Sequence, residues 1–300
     1  MKPFYVALLL LTSILWSGNF VVSKLMVDYA SSMTLTNLRY IIAVIILLPI
    51  VYATEKRLLP PRRAIIPLIL MGATGVVGFN LFLFWALERT AATNVGLLST
   101  LNPLSIAIFS FLILREKIRP LQMLAMVISL AGVLIVLSKG DLRLLFSLTF
   151  NSGDLFMLCA VATWGLYSVS SKWAMRDVSP MMSTLYAGIF GVMMLLPFSL
   201  QSFTITAIDA TFVWGILYIS IFATVISMVT WNMGVKHVGG TTSGMFLNFN
   251  PVFTAILAFF MLGEQLTWVQ LLGSIIVIVG CYLFAKWKER PVTKGVTEDV

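Results

Sequence analysis

Apolar residues run along this chain in long blocks separated by short polar stretches. A helix needs about 20 such residues to cross the hydrocarbon core of a bilayer. Reading the blocks off in order predicts ten spans, near 4–26, 33–53, 64–86, 92–114, 119–138, 154–174, 180–200, 211–233, 241–262 and 267–286. The loops between them leave no room for a soluble domain. The expected fold is all-α and membrane-integral, with a polar cytoplasmic tail at 291–300.

The pattern repeats itself. Asn102-Pro103 leading to Glu116 recurs 148 residues later as Asn250-Pro251 leading to Glu264. The same offset relates Trp16 to Trp164, Ser23-Lys24 to Ser171-Lys172, Thr36 to Thr184, Pro49 to Pro197, Gln122 to Gln270 and Gly132 to Gly280, without a gap. Five spans per copy is an odd number, so the second copy (146–290) enters the membrane opposite to the first (1–145), an inverted repeat. Proline inside a helix removes a donor and crowds the carbonyl four residues earlier. Matching Asn-Pro breaks in corresponding spans therefore mark Pro103 and Pro251 as helix-bending positions beside a substrate path.

Composition agrees. Hydrophobic residues are 59% of the chain and charged ones 11%, with a mean hydropathy of +0.98, which excludes an ordinary soluble domain. The net charge of +8 is spread singly through loops, against a nucleic-acid surface. With the N-terminus inside, the cytoplasmic loops hold Lys56, Arg57, Arg62, Arg63, Arg115, Lys117, Arg119, Arg176 and Lys236, while the opposite side holds Lys24, Arg89, Lys139 and Arg143. That asymmetry predicts both termini in the cytoplasm of a cell with the protein in its inner membrane. The N-terminal apolar run lacks a small-residue cleavage site and belongs to the repeat, so it is expected to stay as the first span. Cys159 and Cys281 lie in apolar runs without ligand spacing, so neither a disulfide framework nor a metal is expected.

Polar residues inside spans need a packing or a functional reason. Arg39, six residues into the second span, would cost about 2.5–3.5 kcal/mol at a span centre. It either snorkels to the outer interface, pairs with Asp28, or faces a cavity to meet an anionic group such as a carboxylate. Asn19, Asn80, Asn102, Asn232, Asn248 and Asn250 offer amide donors and acceptors without a full charge, for interhelical bonds or for substrate. Trp16 and Trp164 sit mid-span with small or polar neighbours, Tyr167 among them, and are placed to stack on a substrate or to pack. Gly72, Gly75 and Gly78 read as a close helix-packing face. Glu116 and Glu264 end their helices near opposite surfaces, suited to gating. No His, Cys, Asp or Glu constellation for catalysis or metal binding is visible, so the chain reads as not an enzyme and without a cofactor.

The five-plus-five arrangement, the paired Asn-Pro, the run Leu262-Gly263-Glu264-Gln265-Leu266, then Gln270-Leu271-Leu272-Gly273 and Gly280, resemble the drug/metabolite transporter superfamily, specifically its EamA-type members. Leu38-Arg39-Tyr40 and Trp16-Ser17-Gly18-Asn19 also resemble family positions, whereas Arg115 replaces the glycine of the signature in the first copy. The resemblance implies a secondary transporter that exports or exchanges small metabolites, amino acids or related compounds, by alternating access between the halves. The glutamate that small multidrug-resistance relatives carry in the first span is missing here, which puts proton coupling of that kind in doubt. A nucleotide-sugar or phosphorylated-metabolite exchanger is the alternative within transport, and an integral-membrane enzyme the alternative outside it. The expected partners are a small-molecule substrate and the lipid bilayer, with no nucleic acid, in a monomer or homodimer.

Overall fold

A computed structural model describes residues 3–90, 95, 98–116, 118–138, 151–200, 203–262 and 267–288. The described residues are helical apart from turns and one isolated antiparallel bridge, Ala30 to Ile205. In chain order the helices are α1 (Pro3–Met26), α2 (Ser32–Glu55), α3 (Arg62–Arg89), α4 (Asn102–Leu114), α5 (Pro120–Ser138), α6 (Ser152–Ala174), α7 (Pro180–Ser199), α8 (Ala210–Val238), α9 (240–262) and α10 (Trp268–Lys288). Six of them, α1, α2, α3, α6, α7 and α8, are long and apolar enough to cross a membrane, and α4, α5 and α10 carry shorter apolar stretches.

Polar residues start these helices where the apolar blocks stop. Ser31 accepts from the Thr34 amide at the head of α2, Asp209 from the Phe212 amide at the head of α8, and Asn151 with Asp154 forms a reciprocal capping box for α6. Ser179 caps α7 with Pro180 in its first turn. Lys56 and Arg115 take left-handed backbone to end α2 and α4.

Two departures from regular helix matter for the site. Both α3 and α8 carry a π-helical segment, Gly72–Gly78 and Tyr218–Ile226. The two segments end at positions 148 residues apart, the repeat offset. The wider π turn leaves carbonyls poorly served, and side chains take them up: Asn80 donates to Gly75 and Val76, Thr224 to Ile219, Ser227 to Phe222, and the Trp16 indole to Ala223.

The Asn-Pro segments differ from a helix bent at proline. In α9 an α-helical turn, Gly240–Met245, passes through a 3-10 turn, Phe246–Asn248, before the helix resumes at Phe249. In the first half, Thr100 and Leu101 form a turn and α4 starts at Asn102. Pro103 and Pro251 thus stand in the first turn of a restarting helix, where a missing amide costs nothing. The break lies upstream of them. Carbonyls in and beside it are met from α1 and α10, by Ser13 on Phe246, Ser17 on Asn250 and Cys281 on Met245.

Helices α5 and α10 lie against each other along most of their length. A Cβ on Gly132 would stand 2.7 Å from the Val277 amide nitrogen, so the contact between these backbones depends on that glycine. Large apolar side chains such as Trp268, Leu272 and Tyr282 point outward, as lipid requires.

Candidate functional site

The buried polar and aromatic residues of α1, α2, α3, α6, α7 and α8 converge. Trp16 and Trp164, repeat partners, meet edge to face with ring centroids 5.2 Å apart. A third indole, Trp231 on α8, lies 5.5 Å from Trp16 and 5.6 Å from Trp164, and Phe79 and Tyr167 pack on Trp164 at 4.9 and 5.0 Å. Offset and edge-to-face geometry of this kind is the favourable one for aromatic groups. Trp16 donates its indole N–H to Ala223, whereas the buried indole nitrogens of Trp164 and Trp231 have no hydrogen-bond partner. An unmatched buried donor costs about 1–3 kcal/mol, so two in one cluster call for an acceptor that arrives from elsewhere.

Arg39 neither snorkels nor pairs with Asp28. It is 3% exposed and turned inward, donating from Nε to Thr224 at 2.8 Å and from Nη1 to Asn80 Oδ1 at 3.0 Å, with its guanidinium 5.6 Å from the Tyr40 ring centre. Among the described residues no carboxylate pairs with it. A buried charge with only neutral partners is expensive, and it is normally retained where a ligand supplies the opposite charge.

A chain of contacts joins the arginine to the aromatics. Asn80 turns its amide N–H to Gly75 and Val76, with Tyr40 Oη at 3.5 Å. Gly75 gives the Tyr167 ring its room: a Cβ there would fall 2.1 Å from Tyr167 Cδ2. Tyr167 and Asn232 exchange hydrogen bonds at 3.1–3.2 Å, and Asn232 also donates to Thr184 at 3.0 Å. The three glycines of the π segment of α3 face backbone or side chains of α6 and α7, in keeping with the close-packing face expected of them.

Of the residues singled out in the sequence, Trp16, Arg39, Asn80, Trp164, Tyr167 and Asn232 therefore share one connected cluster. Asn19 accepts from Ser23 on its own helix. The Oδ1 atoms of Asn102 and Asn250, beside the restarting helices, are buried and unpartnered. Asn248 turns away toward α5, donating to Ser129 at 2.9 Å. Glu116 forms an ion pair with Lys172 at the end of α6, while Glu264 lies outside the described residues. Trp231 and Thr224 were missed in the sequence. Their repeat counterparts are Leu83 and Val76, so symmetry did not mark them, although Trp231 beside Asn232 within an apolar run was a usable signal.

Loops from both halves of the sequence meet at each end of the helices. At one end Thr206 donates to Tyr29 O at 2.8 Å and Tyr29 donates through its hydroxyl to Asp209 at 2.9 Å. At the other, Glu116 meets Lys172, Ser179 meets Glu55, and Tyr186 donates to the Leu58 carbonyl.

Two stretches of the sequence, 3–138 and 151–286, each match the EamA-like transporter family, and together they span nearly the whole chain. The chain belongs to the EamA-like transporter family. The two matches are offset by the same 148 residues as the internal repeat. An uncharacterized transporter of Bacillus subtilis, YyaM, is 30% identical over 287 residues, covering 93% of each chain. An uncharacterized transporter of Archaeoglobus fulgidus is 28% identical over 278 residues, covering 92% of this chain and 95% of its own. A solved crystal structure superposes with a TM-score of 0.76 at 19% identity, covering 97% of this chain and 100% of the other, and so shares the fold. The buried cluster accordingly lies within a member of a membrane transporter family, and the family and its relatives' names point to transport rather than to an enzyme.

Proposed function

We propose that this EamA-like transporter moves a small metabolite bearing a carboxylate, an amino acid or a related compound, by alternating access across the cell (inner) membrane. The buried, unpaired-by-charge Arg39 carries the reading. Its guanidinium offers the carboxylate a positive, donor-rich seat, and the indoles of Trp164 and Trp231 add unmatched donors beside a flat aromatic wall. Asn102 and Asn250 offer amide oxygens to a donor on the same molecule. One arginine suits a single carboxylate better than the diphosphate of a nucleotide sugar, which would call for several cations.

Ten spans as two inverted five-helix halves, 1–145 and 146–290, are part of the proposal. The paired family matches and the paired π segments support it. So does chain direction: α1 begins beside the end of α8, with Tyr5 stacked on His237 at 4.3 Å, whereas α6 begins at the opposite end, with Asp154 accepting from Thr90. Both termini would lie in the cytoplasm, with Glu116–Lys172 on the cytoplasmic side, in a monomer or homodimer. Reconstituted vesicles given amino acids, purines, sugar phosphates and cationic drugs test the proposal. Counterflow of carboxylate-bearing solutes alone is expected; movement only of sugar phosphates or of cations would overturn the substrate assignment.

A further inference from the structure

Away from the central cluster, an apolar groove of about 610 Å³ opens toward the bilayer between α4 and α5, with the 3-10 turn of α9 at its floor. Leu104, Ile108 and Phe111 of α4 face Met123 and Val127 of α5 across it, and Pro103 lies along it. These five side chains are apolar and well exposed, while Pro103 and Ala107 beside them are buried, so the groove is wetted by lipid tails unless something displaces them. Its volume and its apolar lining with few polar groups are those of a small-molecule site. Two polar residues line it, Thr100 and Asn248; Asn248 is 2% exposed and its Oδ1 has no hydrogen-bond partner.

Neighbouring bonds fix which way that amide points. The Met245 carbonyl can only accept, so the Cys281 thiol at 3.2 Å donates to it. The thiol sulfur is then left as the acceptor for the Ser129 hydroxyl at 3.6 Å, and the Ser129 oxygen in turn accepts from Asn248 Nδ2 at 2.9 Å. Reversing the amide would place two acceptors or two donors together somewhere along this chain. Asn248 therefore presents an acceptor, and hydrocarbon cannot satisfy it.

We propose that the groove is a second ligand site, reached from the bilayer, for an uncharged apolar molecule carrying one hydroxyl or N–H donor that bonds Asn248 Oδ1. A charged head is excluded because the lining holds no counter-ion. An alkane or an ordinary acyl chain fills the groove without the bond and is held less tightly. The site is independent of the assignment of the transported substrate.

The test uses the full-length protein in lipid nanodiscs, photolabelled with a medium-chain alkyl alcohol bearing a diazirine and, in parallel, with the corresponding alkane. Mass spectrometry should find the alcohol concentrated on peptides of α4 and α5, displaced by unlabelled alcohol at about a tenth of the concentration that the alkane needs. Asn248→Leu should cut the preference for alcohol over alkane about tenfold, the worth of one hydrogen bond. Leu104→Trp, which fills the groove from its exposed wall and leaves Asn248 in place, should remove labelling by both probes and guards against a misfolded Asn248 variant. Equal labelling of all lipid-facing helices, or an alcohol preference unchanged in Asn248→Leu, would overturn the proposal.

Discussion

Arg39 and Asn80 are joined by a 3.0 Å hydrogen bond in which the guanidinium donates to an amide oxygen, while the amide nitrogen of Asn80 holds the carbonyls of the π segment of α3. One asparagine thus ties the buried charge to the irregular backbone beside it. Asn80→Asp would place a carboxylate on Arg39. The variant gains an ion pair at Arg39 but loses the amide bonds to Gly75 and Val76, so it should be more heat-stable than Asn80→Leu without exceeding the native protein, yet should lose transport because the substrate's seat is taken. Asn80→Leu should instead lower stability by about 1–3 kcal/mol, from the bonds left unmade. Thermal unfolding measured beside vesicle counterflow separates the two; an Asp variant as unstable as Asn80→Leu that still transports would contradict the assignment.

Gly75→Ala tests the packing of the same segment. The added methyl would overlap the Tyr167 ring, and relief requires that ring to leave Asn232. Overpacking of a tight interface costs about 1–3 kcal/mol. A double-mutant cycle with Tyr167→Leu should recover part of that loss, since the two residues touch. Additive effects would show that the glycine matters for another reason.

Trp231→Phe removes an indole N–H that has no partner, at a position with no solvent exposure. Deleting an unmatched donor offsets the small volume lost, so stability should change by less than about 1 kcal/mol. Substrate affinity should fall about tenfold if the N–H meets a substrate acceptor. Native-like uptake kinetics would mean that the indole only packs.

The Tyr29–Asp209 contact joins loops of the two halves at one end of the helices. The Phe212 amide holds the Asp209 carboxyl below its ordinary value of 3.8, and its bond from Tyr29 acts in the same direction. For a depressed carboxylate, the stabilisation is present above the ordinary value and is lost as pH falls through the lower folded value. The hydroxyl of Tyr29 is shifted upward, first by its bond to Asp209. The latch should therefore hold unchanged from neutral pH down to mild acid and open only below the usual carboxylate range. The distance between spin labels placed at Val27 and Thr206 should stay constant from neutral pH to pH about 5. A change of that distance within the window would show another group controls the latch.

Much of this architecture was legible in the sequence, and its limits have physical causes. The repeat and the apolar blocks marked the helices because lipid imposes length and composition on every span. Trp16, Trp164 and Tyr167 were findable because symmetry or unusual neighbours set them apart. The π segments were not, since Gly72–Gly78 reads as a close helix-packing face and Tyr218–Ile226 as an ordinary apolar run, neither of which calls for a π turn. The site of the Asn-Pro break was displaced because proline tolerates the first turn of a helix, and the sequence does not say where that turn begins. For Arg39, the choice between snorkelling, Asp28 and the interior depended on Thr224 and Asn80, residues 185 and 41 positions away in the chain.

The most direct measurement compares substrate counterflow by the native protein with that of Arg39→Lys and Arg39→Gln in vesicles, using a carboxylate-bearing metabolite and its neutral amide. The native protein should move the acid and discriminate against the amide, Arg39→Lys should retain part of that preference, and Arg39→Gln should abolish it. Unchanged preference for the acid in Arg39→Gln, in a variant that folds and transports, would contradict the central role of the buried arginine.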